Sequence, residues 1–330
     1  MTETRTTCPY CGVGCGVVAS VEDGAVSVRG DETHPANFGR LCVKGSALGE
    51  TTGLQGRLLR PVVDGMEVAW PQALGEAGER LRKIITEWGP QAVAFYASGQ
   101  LLTEDYYAAN KLMKGFIGAA NIDTNSRLCM SSAVVGYKRA FGEDIVPCSY
   151  EDVENSDLVV LVGSNAAWTH PVLYQRLVQA KRSNPQMKVV VIDPRKTATC
   201  DVADLHLALK PGSDAGLFVG LLNLIQGSGE WPIPHVAAFC DLPSDEIGTF
   251  YDWFVTAPRA ITLYTMGINQ SSSGSDKCNA IINVHLASGK FNRSGCGPFS
   301  LTGQPNAMGG REVGGLANQL AAHMNFEPDD

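Results

Sequence analysis

What this chain lacks narrows its function before any motif is read. No apolar run in its 330 residues approaches the roughly 20 that a bilayer-spanning helix needs. Charge is sparse, at 18% of residues, and not of the positive sign. The formal net charge of −8 argues against a nucleic-acid or anionic-membrane partner. Met1–Thr7 has neither an apolar core nor a twin-arginine pair, so no export leader is read there and a cytoplasmic location is expected. Neither G-x-G-x-x-G nor G-x-x-x-x-G-K-[ST] occurs, which disfavours ordinary NAD and ATP sites. Internal repeats and low-complexity tracts are missing too. An apolar share of 44% still supplies sizeable cores, and the length allows two or three domains.

Cysteine, by contrast, is plentiful. In a reducing compartment, 10 of them speak for metals and buried thiols rather than disulfides. Cys8, Cys11, Cys15 and Cys42 are spaced C-x2-C-x3-C-x26-C. Three neighbouring thiols can converge on one face of a small inorganic core, and a fourth returning from a distant loop closes the coordination. Iron–sulfur clusters are held by four thiolates in this way. Structural zinc usually takes two separate C-x2-C knuckles, and only one is present. The cluster is favoured; zinc and unligated thiols stay open at this point. Gly12, Gly14 and Gly16 interleave with the cysteines and are expected to bend the loop and aim amides at sulfur. Val17–Val21 and Ala25–Val28 read as strands joined at Asp23–Gly24, a hairpin that would bring Cys42 back towards the other three. Arg40 and Lys44 flank Cys42 with positive charge suited to an anionic cluster.

The expected division is a cluster domain over 1–56, closed by the polar stretch Gly49–Gly56, then a second part over 57–330 with a Rossmann-like subdomain at about 151–240. In that part Trp70–Trp88 reads as an amphipathic helix, Ala92–Tyr96 as a buried strand and Thr103–Ile117 as a helix. Asp157–Val162 is a continuous apolar strand followed by the turn Gly163–Ser164–Asn165. A helix over Pro171–Lys181, with proline in its first turn, leads to the strand Lys188–Ile192 and to Asp193–Pro194–Arg195. Strand, helix and strand form a βαβ unit, hence a parallel sheet. Such sheets bind ligands at the carboxyl ends of their strands. Ser164, Asn165 and the amides that open the next helix suit phosphate or ribose. Asp193 suits a ribose or a guanine edge, and Arg195 or Lys196 suits phosphate. A nucleotide site and a purely structural parallel sheet both satisfy this pattern.

Together these segments resemble the molybdopterin oxidoreductases of the dimethyl sulfoxide reductase superfamily, nearest to its cytoplasmic assimilatory nitrate reductase branch and next to the periplasmic one. The resemblance runs from TCPYCGVGCGV and GRLCVKG to LTGQPNAMGGREVGG. It implies an α/β fold: a small N-terminal [4Fe-4S] hairpin domain, then α/β molybdopterin-binding domains with a Rossmann-like parallel sheet. It implies a [4Fe-4S] cluster on Cys8, Cys11, Cys15 and Cys42, and molybdenum held by bis(molybdopterin guanine dinucleotide). Lys44 is implied as the electron-relay contact between cluster and pterin.

In Asn125–Ala133 the family places its molybdenum ligand, here Cys129, followed by Met130 as in nitrate reductases; formate dehydrogenases carry histidine after the ligand. A soft thiolate suits molybdenum held by dithiolenes. Alone, Cys129 would read as a small buried hydrophobe, and its setting reads as an irregular stretch between helices. Thr302 precedes Gly303–Gln304 where formate dehydrogenases carry arginine. Arg311 matches a nitrate reductase arginine at the active-site funnel, able to attract and orient a small anion; taken cold, it is a structural or phosphate contact. Cofactor contacts carry over to Gln100, Asn125, Gly163, Ser164, Asn165, Ala166, Ala167, Trp168, Lys210, Pro211, Gly212, Asp214, Met266 and Gln270. Cys148, Cys200, Cys240, Cys278 and Cys296 read as structural thiols. The implied reaction is reduction of nitrate to nitrite for assimilation, with electrons from ferredoxin or an NADH-dependent flavoprotein. A formate dehydrogenase-like oxidoreductase and a non-catalytic iron–sulfur electron-transfer module are the alternatives. Family members are considerably longer, so the chain resembles the N-terminal part of one.

Overall fold

The computed structural model describes residues 2–324 and Phe326. They fall into two units, Met1–Asn125 with Gln304–Asp330, and Ser126–Gly303. The first unit begins with an antiparallel meander of β1 (Thr2–Thr7), β2 (Gly16–Glu22) and β3 (Ala25–Gly30). Asp23 and Gly24 both take positive φ, 49° and 80°, the turn that matches the twist of a two-residue hairpin. β1 ends one residue before Cys8, β2 starts one residue after Cys15, and Thr7 lies opposite Gly16. The cysteine loop is therefore the tip of the β1–β2 hairpin.

A short hairpin of β4 (Val62–Val63) and β5 (Met66–Glu67) precedes the helix Trp70–Trp88, whose bounds match the amphipathic stretch read from the sequence. The strand expected over Ala92–Tyr96 is corrected. Pro90–Ala92 is a 3-10 turn, the strand β6 is Phe95–Ala97, and Tyr96 is 80% exposed. Among the described residues β6 pairs only with the parallel β7 (Ile122–Thr124), and a two-stranded ribbon leaves one face uncovered. The helix expected over Thr103–Ile117 is α-helical to Asn110 and then widens into a π-helix, Lys111–Ile117, stopped by Gly118 at φ 81°. Val93, Met113, Ala119 and Ile122 form the small core here.

The second unit carries a parallel sheet of β8 (Leu158–Val162), β9 (Lys188–Ile192), β10 (Leu205–Leu207), β11 (Ala260–Tyr264) and β12 (Gly297–Ser300), ordered β10-β9-β8-β11-β12. β8 and β11 are buried throughout because helices cover such a sheet on both faces, which explains their unbroken apolar sequences. Val159, Leu161, Val189, Val191, Ile261 and Leu263 form the heart of the core. Each such side chain stabilises the fold by about 1.5–3 kcal/mol. The chain runs from β8 outward to β10 and then returns to β11 on the other side of β8, so strand order reverses between β8 and β11. That reversal is where sheets of this kind bind ligands, at the carboxyl ends.

Candidate functional site

The cysteine loop is closed by Cys8 N–H donating to Cys15 O at 2.8 Å. Its glycine amides do not face sulfur, as the sequence suggested. Gly12 N–H donates to Gln100 O (2.7 Å), Gly14 N–H to Cys11 O (3.2 Å) and Gly16 N–H to Asn37 Oδ1 (2.8 Å). Oxygen is the stronger acceptor, so the glycines serve close approach. A Cβ on Gly12 would lie 2.2 Å from Leu101 O. Burial pushes the Cys15 thiol up to about 12, and the neighbouring Cys11, Cys8 and Cys42 push in the same direction. A positively charged metal core bound at this loop would offset both effects on Cys15. Among the described residues no group of three or more Cys, His, Asp or Glu is placed to hold a metal ion, so the preference for a cluster over zinc rests on the cysteine spacing. Cys42 precedes the short helix Val43–Ser46, and Lys44 Nζ lies 5.9 Å from the centroid of the Tyr10 ring, on the cysteine loop itself.

The loop Ser98–Leu102 ties further expected residues to this region. Gln100 holds the cysteine loop through its carbonyl while its side chain is exposed. Asn125 Oδ1 accepts from Gly99 N–H at 3.0 Å. Asn306 N–H donates to Gly99 O (3.1 Å), and Asn306 Nδ2 donates to Leu101 O (2.9 Å). Asn306 precedes the helix Ala307–Glu312, which carries the buried Arg311.

In the second unit, Cys129 lies on a helix, Ser126–Phe141, and not in an irregular stretch as expected. The helix is kinked at Met130, whose φ −138° and ψ 23° are non-helical. Cys129 and Met130 are both buried. Gly303 N–H donates to Cys129 Sγ at 3.3 Å, and Thr302 Oγ1 lies 3.8 Å from the same sulfur. His170 Nε2 bonds to Thr302 O at 2.6 Å. A Cβ on Gly303 would meet Met266 Sδ at 2.5 Å and Cys129 Sγ at 3.3 Å, so Met266 shares the pocket. Gln270 Nε2 donates to Leu128 O at 2.9 Å, bracing the residue before the cysteine.

At the sheet's reversal, Gly163 O accepts from Gly267 N–H (3.1 Å) and Thr265 Oγ1 (2.9 Å). Gly163 takes φ +54°, and a Cβ there would lie 2.7 Å from Gly267 Cα, so glycine is required. Ser164 Oγ is buried without a hydrogen-bond partner, an acceptor and donor left for a polar ligand. Asn165 Oδ1 accepts from Thr199 Oγ1 (3.0 Å), which itself accepts from Ala167 N–H (3.1 Å). Ala166 is buried there and Trp168 exposed. Asp193 Oδ1 caps Arg195 N–H at 2.9 Å, and Arg195 and Lys196 stand in solvent. Lys210, Pro211 and Gly212 form an exposed turn with Gly212 at φ +89°. Asp214 stands apart from that turn's surface, in a buried ion pair with Lys277 Nζ at 2.6 Å.

Residues 57–328 match the family described as Molybdopterin oxidoreductase, and residues 1–52 match its Fe4S4 domain. The chain belongs to the molybdopterin oxidoreductase family. With membership come a molybdenum-pterin and a [4Fe-4S] cluster. Among relatives, a nitrate reductase of Klebsiella oxytoca is 77% identical over 100% of this chain and 40% of its own length. A nitrate reductase of Shewanella frigidimarina is 47% identical over 99% of this chain and 38% of its own length. A periplasmic nitrate reductase of Desulfovibrio desulfuricans is 37% identical, over 95% and 46%. The chain thus spans less than half the length of these relatives. Its fold also matches acetylene hydratase from Pelobacter acetylenicus, with a TM-score of 0.71 at 22% identity, covering 88% of this chain and 44% of that one.

Sequence reasoning about this molybdopterin oxidoreductase missed three residues that build the sites. Thr302 was noted only for not being arginine, yet it faces the thiol; His170, which holds the Thr302 carbonyl, and Thr199, which ties Asn165 to Ala167, carry no local motif.

Proposed function

We propose that the full-length protein reduces nitrate to nitrite. The observation that carries this reading is the setting of Cys129: a buried sulfur at a helix kink, accepting from Gly303 N–H at 3.3 Å with Thr302 Oγ1 at 3.8 Å. A buried sulfur with an amide and a hydroxyl beside it is suited to hold a soft metal such as molybdenum. Threonine at that wall, where formate-type relatives are expected to place arginine, favours nitrate over formate, as do the names of the relatives.

The pterin-bound molybdenum supplies two-electron oxygen-atom chemistry. In balance, nitrate, two electrons and two protons give nitrite and water. Arg311 would bind and orient the nitrate through its planar fork. Cys129 would hold the metal; Cys8, Cys11, Cys15 and Cys42 the cluster, with Lys44 adding positive charge beside Cys42. Ser164, Asn165, Asp193, Arg195 and the turn at Lys210–Gly212 would hold the nucleotide ends of a bis(molybdopterin guanine dinucleotide). In this reading 1–56 form the cluster domain and the remainder the cofactor-bearing part, the role is assimilatory and cytoplasmic, and a ferredoxin or NADH-dependent flavoprotein donates electrons. Full-length protein assayed with reduced viologen should consume nitrate. Formate oxidation without nitrate turnover would overturn the reading.

A further inference from the structure

A second positively charged side chain is built into the first unit close to Arg311 in the chain of contacts. Lys114 sits in the π-helix and directs its ammonium at three backbone carbonyls: Gly314 O (2.6 Å), Leu316 O (2.9 Å) and Gln319 O (2.6 Å). An ammonium has three donors, and all three are satisfied by carbonyls of one turn. That turn is the one that leaves the Arg311 helix. Two more bonds hold the same stretch. Asn110 Nδ2 donates to Val313 O (2.8 Å), and Gln319 Nε2 donates back to Arg311 O (2.7 Å).

The helix itself is weak. It has six residues, two of them Gly309 and Gly310, and so short a helix with glycine inside has little stability of its own. Its shape must be imposed from outside. The widened turn Lys111–Ile117 does this by presenting Lys114 to the loop beyond the helix, a use of π-geometry that recurs near functional sites. Desolvation lowers the Lys114 pKa, consistent with an ammonium withdrawn from water for a structural purpose.

We propose that Lys114 is the positioning residue for Arg311: its carbonyl clamp fixes the turn 313–319 and with it the direction of the guanidinium. The proposal rests on the reading of Arg311 as the nitrate-binding group. Lysine is suited to the clamp because three carbonyls surround a point charge, whereas a guanidinium fork presents its donors in a plane.

The test uses the full-length, cofactor-loaded enzyme with Lys114→Met, and Asn110→Ala as a milder variant should the first fail to fold. Two readouts are taken. Hydrogen exchange is followed at the amides of Val313, Gly314 and Gly315, which bond to Gly309 O, Arg311 O and Gly310 O. Nitrate KM and kcat are measured beside it. In Lys114→Met, exchange at these amides should rise at least ~10-fold, equal to 1.4 kcal/mol of lost protection. KM should rise by a similar factor, with kcat within about twofold and iron and molybdenum contents unchanged. Asn110→Ala should shift both in the same direction by less. Unchanged exchange in either folded variant overturns the clamp, as does faster exchange with an unchanged KM. Arg311→Lys, measured alongside, separates the two ideas. If it leaves nitrate KM unchanged, the substrate reading of Arg311 fails and the positioning role falls with it, while the exchange data still report whether Lys114 orders the turn.

Discussion

Replacing Gly303 with alanine adds a single methyl group between the two sulfur atoms of the proposed molybdenum pocket. Its Cβ would lie 2.5 Å from Met266 Sδ, 2.8 Å from Met266 Cε and 3.3 Å from Cys129 Sγ. Ordinary contact needs about 3.5–4.0 Å, so the methionine must retreat by about 1 Å and the cysteine by a few tenths. Methionine has three rotatable bonds and moves readily. The stability cost therefore belongs at the lower end of overpacking, about 1 kcal/mol. The effect on the Cys129 sulfur is larger, because the same residue donates the 3.3 Å bond to Cys129 Sγ. A displacement on this scale at a reacting centre costs about tenfold to a hundredfold in rate. Full-length Gly303→Ala should show that loss in viologen-linked nitrate reduction, with reduced molybdenum content, unchanged iron and a nearly unchanged thermal midpoint. Met266→Ala makes room for the methyl group. The double variant measured against Met266→Ala alone should recover much of the loss, a coupling of the size seen for residues in contact. Turnover within about twofold of wild type in the Gly303→Ala enzyme, with full molybdenum, would refute the assignment of this pocket.

Three further outcomes are expected. Cys129→Ala in the complete enzyme should abolish nitrate reduction while leaving iron content and the cluster absorption intact; normal turnover would withdraw the ligand role. Lys277→Met strands the Asp214 carboxylate in the interior, and breaking such a buried pair costs about 3–5 kcal/mol, measurable as a fall in the denaturant midpoint; a change under about 1 kcal/mol would show that water reaches the pair. His285 is held by Thr262 Oγ1 (2.8 Å) and Lys290 O (2.9 Å), and burial lowers its pKa from 6.5 to about 4. Above pH 6.5 both folded and unfolded states carry it neutral, so it costs nothing. Between 6.5 and 4 only the unfolded state takes the proton, and stability falls by about 3 kcal/mol at 1.36 kcal/mol per pKa unit. Wild type minus His285→Gln, followed by chemical unfolding across that window, should show this slope; parallel curves would remove His285 as its source.

The elements legible in the sequence were those with one strong period or one strong turn. Asp23–Gly24 marked its hairpin, Trp70–Trp88 its helix, and the unbroken apolar run before Gly163 the buried parallel strand. Motif spacing likewise singled out the four cysteines, while Cys129 was singled out by the family resemblance alone. What stayed hidden depends on contacts between segments far apart in the chain. The uncovered face of Tyr96 follows from a ribbon of only two strands, and the π-widening at Lys111 is invisible to a helical period. The kink at Met130 has no proline or glycine to announce it, and the pairing of Thr302 and Gly303 with Cys129 joins segments about 170 residues apart.

The loop Gly99–Leu101 joins two parts of the first unit that lie far apart in the sequence. On one side it receives Gly12 N–H from the cysteine hairpin; on the other it receives the backbone and side chain of Asn306, at the root of the Arg311 helix. Three residues thus act as a common pin for the hairpin that carries Cys8, Cys11 and Cys15 and for a helix too short to stand unaided. A change that shifts this loop is therefore felt at two places far apart in the sequence, the cysteine hairpin and the root of the helix that carries Arg311.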